Sequence, residues 1–169
     1  GLARSLDRMV TAGQRPDPSE MNELDVQLAD HFSGTVGSLL EKAAVGVQEI
    51  TAIGSHGQTV WHEPGGTNPE SIQLGSPYRI AQQTGIVTVG DFRSADIDAG
   101  GQGAPLAPLL HRALFRPSHS KSRVVLNLGG IANISIIDPD GTVSGYDTGP
   151  ANCLMDAWTK KHLGEPFDH

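Results

Sequence analysis

The stretch SRVVLNLGGIANISIIDPDGTVSGYD, residues 122–147, is the strongest constraint on the fold. It holds three apolar runs split by Gly129-Gly130 and by DPDG. Both separators are turn sequences of the kind that join antiparallel strands. A three-strand meander is therefore predicted here. Around it the periodicity turns helical. Leu24, Leu28, Phe32, Val36 and Leu39 recur at helical spacing, with Ser19 as the candidate N-cap. Ser76, Pro77 and Gly85 bracket a second helix in SPYRIAQQTG. APLAPLLHRALF reads as a third, and ANCLMDAWTKKHLG, stopped by Gly164 and Pro166, as the last. Residues 1–13 read as a helix closed by Gly13, and EITAIGSHG, SIQLG and IVTVGDF as short strands. Strands and helices thus alternate around one meander. The expected class is α/β, a mixed sheet with flanking helices, forming part of one domain over residues 1–169.

Composition excludes several functions. The 169 residues carry a net charge of -7, so no basic groove for nucleic acid or an anionic membrane is expected. No stretch approaches the ~20 apolar residues of a membrane span. One cysteine, Cys153, excludes an internal disulfide and a cysteine-built metal cluster, and points to a reducing, cytoplasmic compartment. His56 and His62 lack zinc-site spacing, and no metal ligand is assigned. GLARSLDRMVTAGQ has no apolar signal-peptide core and no initiator Met, and it starts like the middle of a helix. The expectation is a segment of a longer chain.

Four loops fall where α/β sheets place ligands: SHGQTVWHEP, GDFRSADIDAGGQGAP, NLGGIAN and YDTGPAN. Gly129 and Gly130 either cradle an anion on their N–H groups or simply turn a hairpin. No GxxxxGK[ST] occurs, which argues against a P-loop kinase. Asp147, placed where a strand gives way to a helix, reads as a base or a metal ligand, or as a helix cap. A capping carboxylate would be the weaker base, because N–H donors favour its charged form. His56 either orients a ligand or serves as a structural hydrogen-bonder. Arg93 either clamps a carboxylate or phosphate, or pairs with Asp91 or Asp96. Trp61, Tyr78 and Trp158 read as core or boundary residues, and Cys153 as a small buried hydrophobe.

Taken together, SHGQTVWHEP, GDFRSADIDAGGQGAPLAP, LNLGGIANIS and GYDTGPANCLMDAW resemble the anhydro-N-acetylmuramic acid kinases in order and spacing. The resemblance covers nearly everything from Ile50 onward. It implies a ribonuclease H-like/actin-like ATPase domain, present in part, from a superfamily whose two α/β domains bind ATP and sugar in a cleft. It implies a reaction in which water opens the 1,6-anhydro bond and ATP with Mg²⁺ phosphorylates the sugar. The product would be N-acetylmuramic acid 6-phosphate, in peptidoglycan recycling. By this resemblance Asp147 in GYDTGP matches the catalytic base. Gly129, Gly130 and Asn133 look like the hairpin facing the ATP phosphates, and His56, Gln58 and Arg93 lie in loops similar to those lining the sugar cleft. A small amino sugar as ligand and a homodimer are implied too. The chain departs from the family in having no GTSLDG-type phosphate loop and no second, adenosine-binding domain. These residues alone are therefore expected to bind nucleotide poorly and to turn over nothing. Two other readings stay open: a catalytically silent carbohydrate-binding or regulatory module, and one half of a two-chain enzyme.

Overall fold

A computed structural model describes residues 1–115 and 121–167; the end of the EPFDH stretch, residues 168–169, lies outside them. The chain divides into two compact units, Gly1–Ala104 and Pro105–His169.

The first unit runs α1 (Leu2–Thr11), α2 (Pro18–Ala43), a 3-10 turn (Val47–Glu49), β1 (Ile53–Gly54), β2 (Gln58–Glu63), β3 (Glu70–Leu74), α3 (Pro77–Thr84), β4 (Thr88–Val89) and α4 (Ser94–Asp98). The cap of α2 is Asp17, not Ser19. Its carboxylate accepts the N–H groups of Ser19 at 2.8 Å and Glu20 at 3.3 Å, and the Ser19 hydroxyl as well. The reason is Pro18, whose fixed φ suits the first helical position and whose missing N–H is not needed there. Leu24 and Leu28 of α2 join Met9, Val60 and Leu74 in the core, while Leu39 stays exposed. Burying a leucine of this kind contributes about 1.5–3 kcal/mol.

The loop expected over SHGQTVWHEP contains a strand. β2 pairs antiparallel with β3, with a register shift between Thr59 and Trp61. Val60 is the extra residue of that bulge. It breaks the alternation by which a strand is read, since side chains change face with period two. Glu63 lies directly opposite Glu70, a like-charge pair. Arg15 offsets it by gripping both Glu70 oxygens, at 2.8 and 3.0 Å. β1 and β4 pair in parallel, Ile53 with Thr88 and Gly54 with Val89. The Ser55 N–H extends the pairing to the Val89 carbonyl at 2.8 Å. Both strands therefore release their following loops side by side. The second of those loops holds the short helix α4, where irregular chain was expected.

The second unit runs α5 (Ala107–Phe115), β5 (Arg123–Leu128), β6 (Ile131–Ile137), β7 (Val143–Pro150) and α6 (Asn152–Leu163). The predicted meander is present, an antiparallel sheet in the order β5-β6-β7. α5 seats on one face of it. A Cβ on Gly145 would stand 2.6 Å from Pro108 Cγ, so the helix approaches there because the strand has no side chain. His111 Nδ1 and the buried Ser135 hydroxyl share a hydrogen bond of 2.8 Å that fixes the contact. Cys153, Tyr78 and Trp158 are exposed, against the expectation of core or boundary positions. Trp158 stacks instead on His162 of the same helix, with ring centroids 4.1 Å apart.

Candidate functional site

The parallel pair β1–β4 builds the candidate site of the first unit. Ligands of α/β proteins gather beyond the carboxyl ends of parallel strands. Here those ends deliver His56 after β1, and Asp91 and Arg93 after β4. Glycine makes the approach possible. A Cβ on Gly90 would meet Pro77 at 2.8 Å, and Gly57, at φ +70°, sits against the Leu74 carbonyl.

Arg93 donates to His56 Nε2 from Nε at 3.0 Å and from Nη2 at 2.9 Å. A guanidinium only donates, so Nε2 must accept. The imidazole proton then sits on Nδ1 and is given to the Gly57 carbonyl at 3.0 Å. Neither Asp91 nor Asp96 pairs with Arg93, which overturns the Asp–Arg alternative. Asp91 takes the N–H of Ser94 at 3.2 Å and its hydroxyl at 2.6 Å. Asp96 takes the Gly103 N–H at 2.7 Å. Arg93 is half-buried, burial lowers its pKa, and among the described residues it makes no ion pair.

His56 lines a cleft of about 290 Å³ together with Ser71, Gln73, Asp91 and Ser94. Gln58 does not line it. Its strand partner is Leu74, whereas Thr59 faces Gln73, so the Gln58 side chain leaves from the other face of the hairpin. Its amide donates to the Thr59 carbonyl at 3.1 Å. Ser71 and Gln73 were missed from the sequence. The signal was there in SIQL, where polar and apolar residues alternate along the strand.

Partial burial, and then the charge of Arg93, hold the His62 imidazole below its ordinary pKa. As pH falls, the unfolded chain therefore takes up this proton first. The stability His62 contributes is present above its ordinary value of about 6.5 and is lost as pH drops through the range below. The melting temperature should fall between pH 7.5 and pH 5.5, and fall less in His62→Gln. An identical drop in both proteins would exclude this role for His62.

A separate group of candidate residues lies in the second unit. Asn127 faces Asn133 across β5–β6, and Asn133 faces Asp147 across β6–β7. Directly paired residues share a face, so the three form one polar row. Ala132 pairs with Gly149 and Asn133 with Asp147, which leaves Thr148 as the extra residue of a bulge beside Asp147. Bulges of this kind re-aim a neighbouring side chain.

Asp147 was expected at a strand-to-helix junction, but β7 continues through Pro150 and α6 opens at Asn152. Asp147 is therefore no helix cap. Among the described residues no group donates to its exposed carboxylate. Hairpin carbonyls do the capping: Gly130 accepts from Ala151 at 3.0 Å and from Cys153 at 3.1 Å, and Gly129 from Asn152 at 2.9 Å. The N–H groups of Gly129 and Gly130 donate to no described residue.

The family model for anhydro-N-acetylmuramic acid kinase matches residues 2–169. The chain belongs to that family. Membership places it among the kinases, phosphotransferases that act in anhydro-N-acetylmuramic acid metabolism and draw on a phosphoryl donor. The mixed α/β build is that of part of an actin-like sugar-kinase ATPase fold. Among the described residues no helix is long and apolar enough to cross a membrane. His56, Gln58 and Arg93 fall in the first unit of this kinase-family chain. Gly129, Gly130, Asn133 and Asp147 fall in the second.

Proposed function

We propose that this chain supplies sugar-binding and catalytic residues to an ATP-dependent kinase that opens 1,6-anhydro-N-acetylmuramic acid and phosphorylates it on O6. The observation that carries the sugar site is Arg93, a half-buried cation with no carboxylate partner, steadied by an uncharged His56. A planar guanidinium with N–H groups to spare suits a carboxylate, and the lactyl ether of muramic acid carries one. Gln58 shares in sugar binding only for a ligand that also reaches the face of β2 opposite Thr59.

Asp147 then takes a proton from the water that attacks the anomeric carbon. The bond from that carbon to O6 breaks as the carbon gains the hydroxyl. O6 keeps the electron pair and attacks the γ-phosphorus of ATP, whose bond to the β–γ bridging oxygen breaks, and ADP leaves with that electron pair. The N–H groups of Gly129 and Gly130, with the Asn133 amide, hold the phosphates of ATP, the phosphoryl donor. Mg²⁺ takes most of its oxygens from phosphates and water, and no residue here is assigned to it. Phosphoryl transfer asks mainly for positioning and charge stabilisation, which such donors provide.

The product, N-acetylmuramic acid 6-phosphate, places the enzyme in cytoplasmic recycling of peptidoglycan. Its partner would be a small amino sugar rather than nucleic acid or membrane, and the active form a homodimer. Without a GTSLDG-type loop, residues 1–169 by themselves are expected to show no turnover.

Arg93→Ala in the complete gene product should raise KM for anhydro-N-acetylmuramic acid by about 10- to 100-fold, the scale of a lost charge-assisted contact. An analogue without the lactyl carboxylate should bind wild type and variant alike. A loss shared by both sugars would refute a carboxylate at Arg93. Sugar binding by wild type without phosphorylation would mean a silent carbohydrate-binding module.

A further inference from the structure

The cleft has a second wall that the proposed reaction does not use. The bulge at Val60 brings Thr59 and His62 onto one face of the hairpin, although they are an odd number of positions, three, apart. Thr59 lies opposite Gln73, and His62 opposite Ser71. The four side chains form one chain of hydrogen bonds.

Gln73 Nε2 donates to Ser71 Oγ at 2.7 Å and to Thr59 Oγ1 at 3.4 Å. Ser71 Oγ and His62 Nδ1 share a hydrogen bond of 3.0 Å. Burial, and then the charge of Arg93, favour an uncharged His62 ring. Gln73 is the amide donor of this chain. Both of its N–H bonds point into the network, and Oε1 is left over.

Among the described residues no buried side-chain nitrogen or oxygen lacks a partner. Gln73 Oε1, which has none, is therefore open to a ligand. The cleft lining thus includes an acceptor that the fold orients but does not satisfy, beside a second acceptor on Asp91. Arg93 is not among the lining residues but is bonded to His56, which is.

We propose that Gln73 determines substrate specificity, its Oε1 accepting the N–H of the acetamido group while Arg93 takes the carboxylate. This rests on the kinase reading above. The chemistry matches, because muramic acid carries its nitrogen and its lactyl ether on adjacent ring carbons. An acceptor in the cleft and a cation bonded to its lining histidine suit that pair. A site with an oriented but unsatisfied acceptor also discriminates strongly against a ligand lacking the donor. Ser71 and His62 act through Gln73 and are positioning residues.

The test uses the complete gene product with saturating ATP. Two sugars are compared: anhydro-N-acetylmuramic acid and its 2-deoxy analogue, which lacks the acetamido group. Gln73→Leu should raise KM for the first by about 10- to 100-fold and change KM for the second by less than about twofold. KM for ATP should hold. Ser71→Ala should give a smaller rise, again for the acetamido sugar alone. Should Gln73→Leu fail to fold, Gln73→Met tests the same atom at nearly the same length. An equal rise for both sugars would make Gln73 structural and overturn the proposal, and so would no rise for either. Wild type that phosphorylates neither sugar would instead overturn the kinase reading itself.

Discussion

Asp147→Asn in the complete gene product should cut kcat for anhydro-N-acetylmuramic acid by about 10²- to 10⁴-fold, the range over which a positioned general base acts. Folding should not change. Among the described residues the carboxylate accepts no hydrogen bond, and the amide has the same shape, so nothing within the protein is lost. KM for ATP should also hold. The prediction is sharp because of where the residue sits. In β7 and beside a bulge, Asp147 meets no helix N-terminal N–H groups, which would have favoured its charge and weakened it as a base. Its neighbour in the row is Asn133, an amide that can hold a water without competing for its proton. Steady-state kinetics with a melting curve decide the matter. A folded Asp147→Asn with wild-type kcat would move the base elsewhere, and with it the role drawn from GYDTGP.

The parts of the fold that could be read ahead of the structure are those governed by local chemistry. The meander was legible because GG and DPDG are turn sequences whose flanking runs have a fixed period. α3 was legible because Ser76, Pro77 and Gly85 are cap, first residue and stop. The failures have physical causes as well. Ser19 is a good capping residue, but Pro18 gives that place to Asp17. β2 was hidden because Val60 breaks the alternation in QTVWHE, and the same bulge aligns Thr59 with His62. The sequence end of a strand is hard to place when strand and helix are separated only by Ala151, so Asp147, which reads as the junction, lies inside β7. Of the candidate site, His56 and Arg93 come together because their strands pair in parallel, a non-local fact that no short motif contains. Gln58 and Gln73 show the converse. Both are polar residues on neighbouring strands, and only the register says which of them faces the cleft.

Gly129→Ala and Gly130→Ala should separate stability from function in opposite directions. Glycine is commonly needed for a left-handed backbone or for space. Neither residue has a positive φ. A Cβ on Gly129 would find its nearest atom, Asn127 Nδ2, at 3.5 Å, and one on Gly130 would find Cys153 Cβ at 4.0 Å. Both are ordinary contacts, so the protein itself does not require glycine at either position. Alanine should even stabilise the chain by about 0.4–1 kcal/mol, since it leaves the unfolded state fewer conformations. What the glycines leave open is the approach of a ligand to the backbone. Their carbonyls are engaged with the start of α6, and the N–H groups that remain are those an anion would use. Each substitution should therefore raise KM for ATP at least about tenfold, as a methyl group displaces a phosphate from its donors. KM for the sugar should change far less. Nucleotide titration beside thermal unfolding measures both effects. Unaltered ATP binding in a stabilised variant would return the Gly129-Gly130 pair to the role of a plain turn, and the phosphates would need another cradle.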